Sequence, residues 1–289
     1  MRNFEFFEAT TIAEASSLLT QYGEQASLLA GGTDLIIGMK EWVIAPEYVI
    51  SLEQIPGLDG ITSSADGGIL IGALTTMRAI ERSQIVCERY TALAEGAGEV
   101  GSIQIRNLAT IGGNIAHSSP AADTVAALLV LDAQVKIASA DGEREVPIAD
   151  FFVGPGQNVL QTGEIVTGFE CPPRSANSGS HYIKQKIREV MDLAFVGVAS
   201  AVQLSNGVVE DVKIGLAAVA PTPIRATNAE EIIRGNGLTD DILNQAGSAA
   251  AAQSSPISDL RCSADYRREI VDVLTQRTVQ NATERARGE

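Results

Sequence analysis

The chain of 289 residues carries 36 acidic and 21 basic residues, a net charge of −15, and 45% of its residues are hydrophobic. This balance is typical of a globular protein long enough for two or three small units. The acidic excess argues against a nucleic-acid surface, which needs a surplus of Lys and Arg. No run approaches the roughly 20 apolar residues of a membrane span, and the first residues lack the apolar core of a secretory signal, so we expect a cytoplasmic protein.

The first third of the chain alternates between helix and strand patterns. Thr11 and Glu14 have the spacing of a capping box, which predicts a helix ending near Gly23. Further patterns predict strands at 27–30 and 47–52, a short helix at 35–39, a hairpin at 60–73, and helices at 76–86 and 88–95.

The middle of the chain continues with an alternating segment at 102–105, an apolar helix at 124–131 and two strands around Asp141-Gly142. A stretch of Pro, Gly, Ser and Asn at 172–180 is the clearest linker and predicts a domain boundary. An alternating segment follows near 182–187. Strands are then expected at 194–204 and 208–219, and helices at 226–234, 239–253 and 264–286. Strands followed by helices are typical of an α+β unit.

Cysteines and histidines are few and scattered. Cys87, Cys171 and Cys262 lie far apart, and the histidines are His117 and His181. Disulfide frameworks and zinc sites use closer, paired spacings of these residues. We therefore expect neither a disulfide nor a metal site.

One glycine motif matches a dinucleotide-binding fingerprint in the spacing of its glycines but not in its structural context. Gly96, Gly98 and Gly101 have the G-x-G-x-x-G spacing, but a helical pattern precedes them and the alternating segment follows. The fingerprint needs the reverse order, a strand and then a helix. We interpret these glycines as the end of a helix and a turn. A nicotinamide-dependent Rossmann oxidoreductase that uses them remains an alternative.

Two further glycine pairs share the same polar neighbours. The segments Ala30-Gly31-Gly32-Thr33-Asp34 and Thr110-Ile111-Gly112-Gly113-Asn114 each combine adjacent glycines with a Thr and an Asp or Asn. Adjacent glycines can present successive backbone N–H groups to an anion, so the two loops can hold a diphosphate without Lys or Arg. If the glycines form only turns, the chain is instead a non-catalytic scaffold or binding module.

Two charged positions accompany these loops. Asp123 precedes the apolar helix at 124–131, where it either caps that helix or accepts hydrogen bonds from ligand hydroxyls. Lys184, Lys186 and Arg188 alternate, which predicts one shared strand face, either solvated or at the edge of an anionic or electron-rich ligand.

Taken together, the motifs resemble the flavin-binding medium subunit of the xanthine dehydrogenase and carbon monoxide dehydrogenase family of molybdenum hydroxylases. The resemblance covers nearly the whole chain and is carried by LLAGGTDLI (28–36), GSIQIRNLATIGGNIAHSSPAADT (101–124), KQKIREVMDLAFVGVA (184–199) and SPISDLRCSADYRREIVDVLTQR (255–277). Within the last of these, residues 259–267 form an Asp-Leu-Arg-x-Ser-Ala-x-Tyr-Arg signature.

The resemblance implies an α+β fold in two domains. Residues 1–174 are expected to form a two-lobed FAD-binding domain of the vanillyl-alcohol-oxidase type, with lobes at about 1–57 and 58–174. Residues 181–289 are expected to form a smaller α+β domain of the carbon monoxide dehydrogenase flavoprotein type, which closes over the flavin.

The resemblance also assigns residues to the cofactor. The diphosphate of FAD is expected on the two loops already described, formed by Ala30, Gly31, Gly32, Thr33 and Asp34 and by Thr110, Ile111, Gly112, Gly113 and Asn114. The family pattern places Asp123 on the sugar-alcohol part of FAD, Ile165 and Val166 near the flavin or adenine, and Lys184 at the flavin ring. Leu193 follows Asp192 where carbon monoxide dehydrogenase members often carry Tyr, so shielding of the ring by an aromatic side chain is not expected here.

The resemblance implies a function in electron transfer. FAD in this chain would accept electrons from the [2Fe-2S] clusters of a small subunit and pass them to NAD, oxygen or a quinone. A large subunit would bind molybdopterin and select the substrate, whether carbon monoxide, a purine, an aldehyde or an N-heterocycle. We expect a heterotrimer that pairs into a dimer of heterotrimers.

Overall fold

The chain begins with a small parallel sheet flanked by two helices. The computed structural model describes residues 1–288. The elements of this part are β1 (Glu5–Glu8), α1 (Ile12–Tyr22), β2 (Ala26–Leu29), α2 (Leu35–Lys40) and β3 (Tyr48–Ser51). Both β1 and β2 run parallel to the central β3. The buried faces of β3 and α1 enclose a first small core, which includes Ala15 and Ile50.

Helix α1 begins and ends where the sequence predicts. The Thr11 hydroxyl accepts the Glu14 N–H at 3.1 Å, and the Glu14 carboxylate accepts the N–H of Thr10 at 2.8 Å. These bonds satisfy amides that have no partner within the helix. Gly23 ends the helix at φ +53°, a left-handed conformation that favours glycine.

A five-stranded antiparallel sheet forms the second part of the chain. Its elements in chain order are β4 (Ile61–Ser63), β5 (Ile69–Gly72), α3 (Met77–Arg82), α4 (Gln84–Arg89), α5 (Thr91–Gly98), α6 (Ile103–Arg106), α7 (Ile111–Ala116), α8 (Val125–Val130), β6 (Gln134–Ala138), β7 (Glu143–Pro147), α9 (Ile148–Phe151), β8 (Phe152–Gly154), β9 (Gln157–Asn158) and β10 (Ile165–Cys171). The strand order is β4-β5-β10-β6-β7, and β8 pairs with β9 separately. All six residues of α8 are buried, which makes this helix the centre of the main core.

Two local predictions differ from this part of the structure. The helix predicted over 76–86 is divided at Ser83, whose extended backbone separates α3 from α4. The alternating segment 102–105 is the short helix α6 rather than a strand. Its first turn is fixed by the Ser102 hydroxyl, which accepts the Ile105 N–H at 3.4 Å, and four residues are too few to reveal a helical period.

The remaining residues form an antiparallel sheet covered by helices. Its elements are β11 (Ser178–Gln185), β12 (Val196–Ser205), β13 (Val208–Ala217), β14 (Ile224–Arg225), α10 (Thr227–Ile233), α11 (Asp240–Gln253) and α12 (Ala264–Arg287). The strands follow in the order β11-β12-β13-β14, and their inner face forms a second large core with the helices. Within residues 1–288, no helix is both long and apolar enough to cross a membrane.

The predicted linker at 172–180 is shorter in the structure, because β11 already begins at Ser178. A Cβ atom added to Gly179 would overlap the Ala282 carbonyl oxygen of α12. The small residues of this stretch therefore let strand and helix approach closely. Their composition reflects packing as well as a connection between domains.

Candidate cofactor site

The first glycine loop connects β2 to α2 and offers free backbone donors. Gly32 has φ +69°, a left-handed conformation that glycine adopts without a steric penalty. Within residues 1–288, the N–H groups of Gly31, Gly32, Thr33 and Asp34 donate no hydrogen bond to a protein acceptor. Consecutive free amides that lead into a helix attract an anion. The Asp34 side chain does not cap α2, so it does not compete for these donors.

The second glycine loop differs from the first because its amides already have partners. All four bonds are made within the protein, from Ile111 to Thr75 O at 3.1 Å, from Gly112 to Ala73 O at 2.8 Å, from Gly113 to the Thr110 hydroxyl at 3.2 Å and from Asn114 to Thr110 O at 3.0 Å. The expectation that both glycine pairs present free amides is therefore wrong for the second pair. Gly112 serves packing instead, since an added Cβ atom would lie 2.7 Å from the Ala73 Cβ and O atoms.

The two loops lie against each other. A Cβ atom added to Gly31 would overlap the Leu108 carbonyl oxygen and would lie 3.1 Å from the Ala109 Cα atom. Residues 108–109 lead directly into the second loop, so the structure brings together the two glycine segments that the sequence singled out. Gly31 is required by this backbone contact, whereas Gly32 is required by its backbone conformation.

Asp123 lies beside the second loop and faces strand β11. It does not cap α8, which begins after Thr124 without a side-chain cap. Its carboxylate instead accepts the Tyr182 hydroxyl at 3.1 Å and Lys184 Nζ at 2.9 Å. The Thr124 hydroxyl donates to the Asn114 side-chain oxygen at 2.7 Å, which ties Asp123 to the second loop. Of the two interpretations of Asp123, the helix cap is excluded.

The ionisation of Asp123 follows from its surroundings. Burial raises the pKa of this carboxyl to about 6, although the charge and hydrogen bond of Lys184 lower it. Asp123 is thus mainly a carboxylate near neutral pH, and it retains lone pairs that can accept hydrogen bonds from a ligand.

Lys184 is directed at Asp123. Its side chain is 2% exposed, and Nζ also donates to Glu99 O at 3.0 Å. The predicted alternation of three cations on one strand face ends early, because β11 stops at Gln185. Beyond that point Lys186 pairs with the Glu99 carboxylate, and Arg188 lies in the following loop.

Ile165 and Val166 begin β10. Both side chains are buried, Ile165 in the first small core and Val166 in the main core. Their proximity to the flavin or the adenine remains a prediction.

Sequence reasoning missed an apolar loop beside the site. The loop between β11 and β12 exposes four apolar side chains, those of Ile187, Val190, Met191 and Leu193. The Met191 N–H donates to Gly101 O at 3.1 Å, which holds this loop against the segment before α6. Apolar residues between charged neighbours were the available signal. Tyr182 was missed as well, because its role depends on contacts with Asp123 that are distant in sequence.

The dinucleotide fingerprint is excluded by its context. Gly96 and Gly98 lie within α5, and no strand precedes them as that motif requires. Gly96 instead allows a close contact, since an added Cβ atom would lie 2.7 Å from Asp123 O. The alternative of a nicotinamide-dependent Rossmann enzyme is therefore rejected.

Comparison with known proteins agrees with this architecture. Residues 2–174 match the FAD binding domain in molybdopterin dehydrogenase, and residues 181–282 match the CO dehydrogenase flavoprotein C-terminal domain. The chain is similar to the xanthine dehydrogenase FAD-binding subunit of Escherichia coli O157:H7, with 32% identity over 98% of this chain and 97% of the relative. It is also similar to the carbon monoxide dehydrogenase medium chain of Hydrogenophaga pseudoflava, with 34% identity over 96% of each chain.

A solved structure shows that the fold is similar as well as the sequence. Carbon monoxide dehydrogenase from Hydrogenophaga pseudoflava superposes with a TM-score of 0.94 at 35% identity, over 99% of this chain and 98% of that one. An FAD-binding domain followed by an α+β C-terminal domain defines a flavoprotein subunit of an oxidoreductase. The chain belongs to the molybdenum hydroxylase family, as an FAD-binding subunit, and its cofactor is FAD. The predicted family, the α+β fold and the flavoprotein activity are confirmed, and the scaffold alternative is rejected.

Proposed function

We propose that this chain is the electron-accepting and electron-releasing subunit of a three-part molybdenum hydroxylase. A small subunit with [2Fe-2S] clusters would supply electrons, and a large subunit with molybdopterin would oxidise the substrate. Relatives are named as FAD subunits or medium chains, which supports an assembly of several chains. A bound flavin supplies the conversion between single electrons and electron pairs, which then pass to NAD, oxygen or a quinone.

The first glycine loop is the observation that carries the proposal. Its four free amides fit a diphosphate, which needs donors and close backbone approach more than it needs cationic side chains. Gly31, Gly32, Thr33 and Asp34 would hold the diphosphate from this side. The chain's net charge of −15 makes backbone donors the more important source of attraction for an anion.

The remaining site residues would orient the other parts of the cofactor. Thr110 and Asn114 would border the diphosphate from the second loop through their side chains, because the backbone amides there are already used. Asp123 would accept hydrogen bonds from the hydroxyls of the sugar-alcohol chain. Ile165 and Val166 would form the apolar floor where the lobes meet. Residues 1–174 and 181–289 would act as the two halves that enclose the site.

The proposal is tested on the protein isolated from its own cells with the chains that accompany it. We expect one FAD per chain, together with molybdenum in a larger partner and iron in a smaller one. Reoxidation of the reduced complex by NAD, oxygen or a quinone then identifies the acceptor. A colourless protein that takes up no added FAD would refute the cofactor role, whereas a yellow protein without partners would refute only the three-part assembly.

A further inference from the structure

We infer that Lys184 is a positioning residue, which acts on the cofactor site by holding the Asp123 carboxylate across the contact between β11 and α5. The inference rests on the proposed function, because it treats Asp123 as an acceptor for FAD hydroxyls. It adds Tyr182 and Gly96 as supporting residues, to which the sequence assigned no such role.

The contacts of Lys184 fix its ammonium group on Asp123. Nζ lies 2.9 Å from Asp123 Oδ2 and 3.0 Å from Glu99 O, and the side chain is almost completely buried. An ammonium group has three donors, and two of them are occupied here. Moving Nζ away from Asp123 would leave the buried carboxylate without its cation, which is strongly unfavourable.

Asp123 is held from both sides while part of its acceptor capacity stays free. Its Oδ1 atom accepts the Tyr182 hydroxyl at 3.1 Å, and Oδ2 accepts Lys184 Nζ. Burial raises the pKa of Tyr182 well above its usual value, so this hydroxyl remains a donor. A carboxylate has about four acceptor positions. The positions that Tyr182 and Lys184 leave open can receive ligand hydroxyls in a fixed orientation.

The main chain of Asp123 packs against residues 96–101, the segment with the glycine spacing of a dinucleotide fingerprint. Gly96 lets α5 approach so closely that an added Cβ atom would lie 2.7 Å from Asp123 O. The same segment supplies Glu99, whose carbonyl oxygen accepts the Lys184 bond. These residues therefore position both the aspartate and the lysine that holds it.

The charged groups around Asp123 determine what removal of Lys184 would do. Lys184 and Tyr182 face the carboxylate from β11, and Glu99 faces it from the end of α5, with its own carboxylate paired to Lys186. Burial and Glu99 raise the pKa of Asp123, whereas Lys184 and Tyr182 lower it. Without Lys184, this pKa rises above about 6, and the group becomes protonated nearer to neutral pH.

The test compares wild type with Lys184→Met and Lys213→Met, in the protein isolated with its accompanying chains. Lys213 is the matched control, since it also joins the C-terminal sheet to an aspartate, Asp132, through a pair that excludes Asp123. FAD is removed, and its affinity is measured by fluorescence titration from about pH 5.5 to about pH 9.

We expect Lys184→Met to bind FAD more weakly than wild type near pH 7, about twofold for a rise of one unit in the pKa of Asp123 and about tenfold for a rise of two, because the loss follows the protonated fraction of this carboxyl. The affinity should recover as the pH approaches 9, since Asp123 then ionises without the lysine. Lys213→Met should follow the wild type at every pH. A loss that is equal at every pH, as expected for a broken direct contact, would overturn the inference, and so would unchanged binding.

Thermal unfolding of the FAD-free protein gives a second measurement. An aspartate whose folded pKa is raised stabilises the fold at low pH and loses this contribution as the pH rises through that pKa. Lys184→Met raises the folded pKa further, so the Tm difference from wild type should grow between about pH 5 and about pH 8. A constant difference overturns the inference by itself. If the wild type binds no FAD, the proposed function fails instead, so the two failures are distinguishable.

Discussion

Gly31 and Gly32 show how two adjacent glycines serve a site for different reasons. Gly31 has no side chain because the backbone of residues 108–109 occupies that space, and Gly32 has none because its φ is +69°. Together they leave four consecutive amides without a protein partner among the described residues. Glycine conformations of this kind turn the amides away from the regular hydrogen bonds of helices and strands.

Replacing Gly32 separates backbone strain from cofactor binding. Gly32→Ala should cost at least about 1 kcal/mol of unfolding free energy, because alanine is strained in a left-handed conformation and its Cβ atom would lie 3.0 Å from Leu29 Cδ1. Relief of this strain should turn the Gly32 and Thr33 amides and weaken FAD binding about tenfold. Both quantities are measured by chemical denaturation and by FAD titration.

Gly57 provides the matched control, with φ +80° and open space around an added Cβ atom. Gly57→Ala should lose similar stability and keep full FAD affinity. Equal loss of affinity in the two variants would show that general destabilisation, rather than the loop amides, limits binding.

At the residue scale, the sequence predicted which segments meet but not how each is used. Both glycine pairs have the same polar neighbours, and the same diphosphate role followed for each. The difference arises from distant contacts, since the Ala73 carbonyl accepts the Gly112 amide and lies 2.7 Å from the place of an added Cβ atom at Gly112. No local pattern around residue 112 encodes that contact, and the same holds for the bond between Tyr182 and Asp123.

At the scale of elements, the 259–267 signature connects α12 to the loop beside the site. Arg267 is completely buried and donates to Phe195 O at 2.8 Å, and it forms an ion pair with Asp259 at 2.9 Å. Arg261 donates to Ala194 O at 3.3 Å. These two arginines hold the end of the β11–β12 loop, and Asp259 neutralises both of them.

Removing the Asp259 charge should therefore destabilise the C-terminal domain. Asp259→Asn leaves a buried guanidinium unpaired, and we expect a loss of about 2 kcal/mol, below the roughly 3–5 kcal/mol of a fully buried pair because Asp259 is partly exposed. Hydrogen bonds from Arg261 hold the pKa of Asp259 well below its usual range. This stabilisation is thus present above about pH 4 and is lost on acidification through the folded pKa.

Asp265→Asn is the comparison, because Asp265 pairs with Arg268 on the exposed face of α12. An exposed pair contributes little, so this variant should unfold like the wild type. Urea denaturation near pH 7 compares the two variants. Equal stability of both would contradict the role of Asp259.

Element boundaries were predictable where the determining interactions are local. The helices expected at 226–234, 239–253 and 264–286 are α10, α11 and α12 with small shifts, since caps such as Thr239 and Ser263 lie next to them in sequence. Helix α6 is not predicted from the sequence, because four residues are too few to show a helical period. Its buried Arg106 is bonded to Glu81 at 3.0 Å, a distant contact that no local pattern contains.

At the scale of the whole molecule, Glu95 connects α5 with the C-terminal sheet and with α12. Its carboxylate accepts the Tyr182 N–H at 2.8 Å and Arg285 at 2.7 Å, and it pairs with His181 at 2.9 Å. Burial raises the pKa of Glu95, but the hydrogen bonds of His181 and Arg285 outweigh it and leave the pKa lowered. The pairing therefore stabilises the fold above about pH 4.3 and weakens as the pH falls below that value.

Glu95→Gln should lower the unfolding free energy by about 1.5–3 kcal/mol near pH 7, the range for hydrogen bonds to a charged group. It should also speed hydrogen exchange along β11, especially at Tyr182. The stability difference should shrink on acidification below about pH 4. Glu88→Gln, at an exposed position whose side chain accepts a hydrogen bond from Gln84, is the control and should change neither quantity. Unaltered exchange at Tyr182 in Glu95→Gln would contradict this account.

The arrangement of the whole chain was predictable only through the family resemblance. Local patterns indicated a boundary near 172–180, yet the contact surface between α5 and β11 joins residues far apart in sequence. Glu95, Asp123 and Lys184 belong to three separate segments, and only the folded chain brings them together.

Amide hydrogen exchange with and without FAD tests the central claim most directly, namely that the free amides of residues 31–34 hold the diphosphate. We expect these amides to exchange rapidly without FAD and at least about tenfold more slowly with it. The amides of Gly112 and Gly113 should be protected in both states, since their acceptors lie within the protein. Bound FAD with unchanged exchange at Gly31, Gly32, Thr33 and Asp34 would contradict the account.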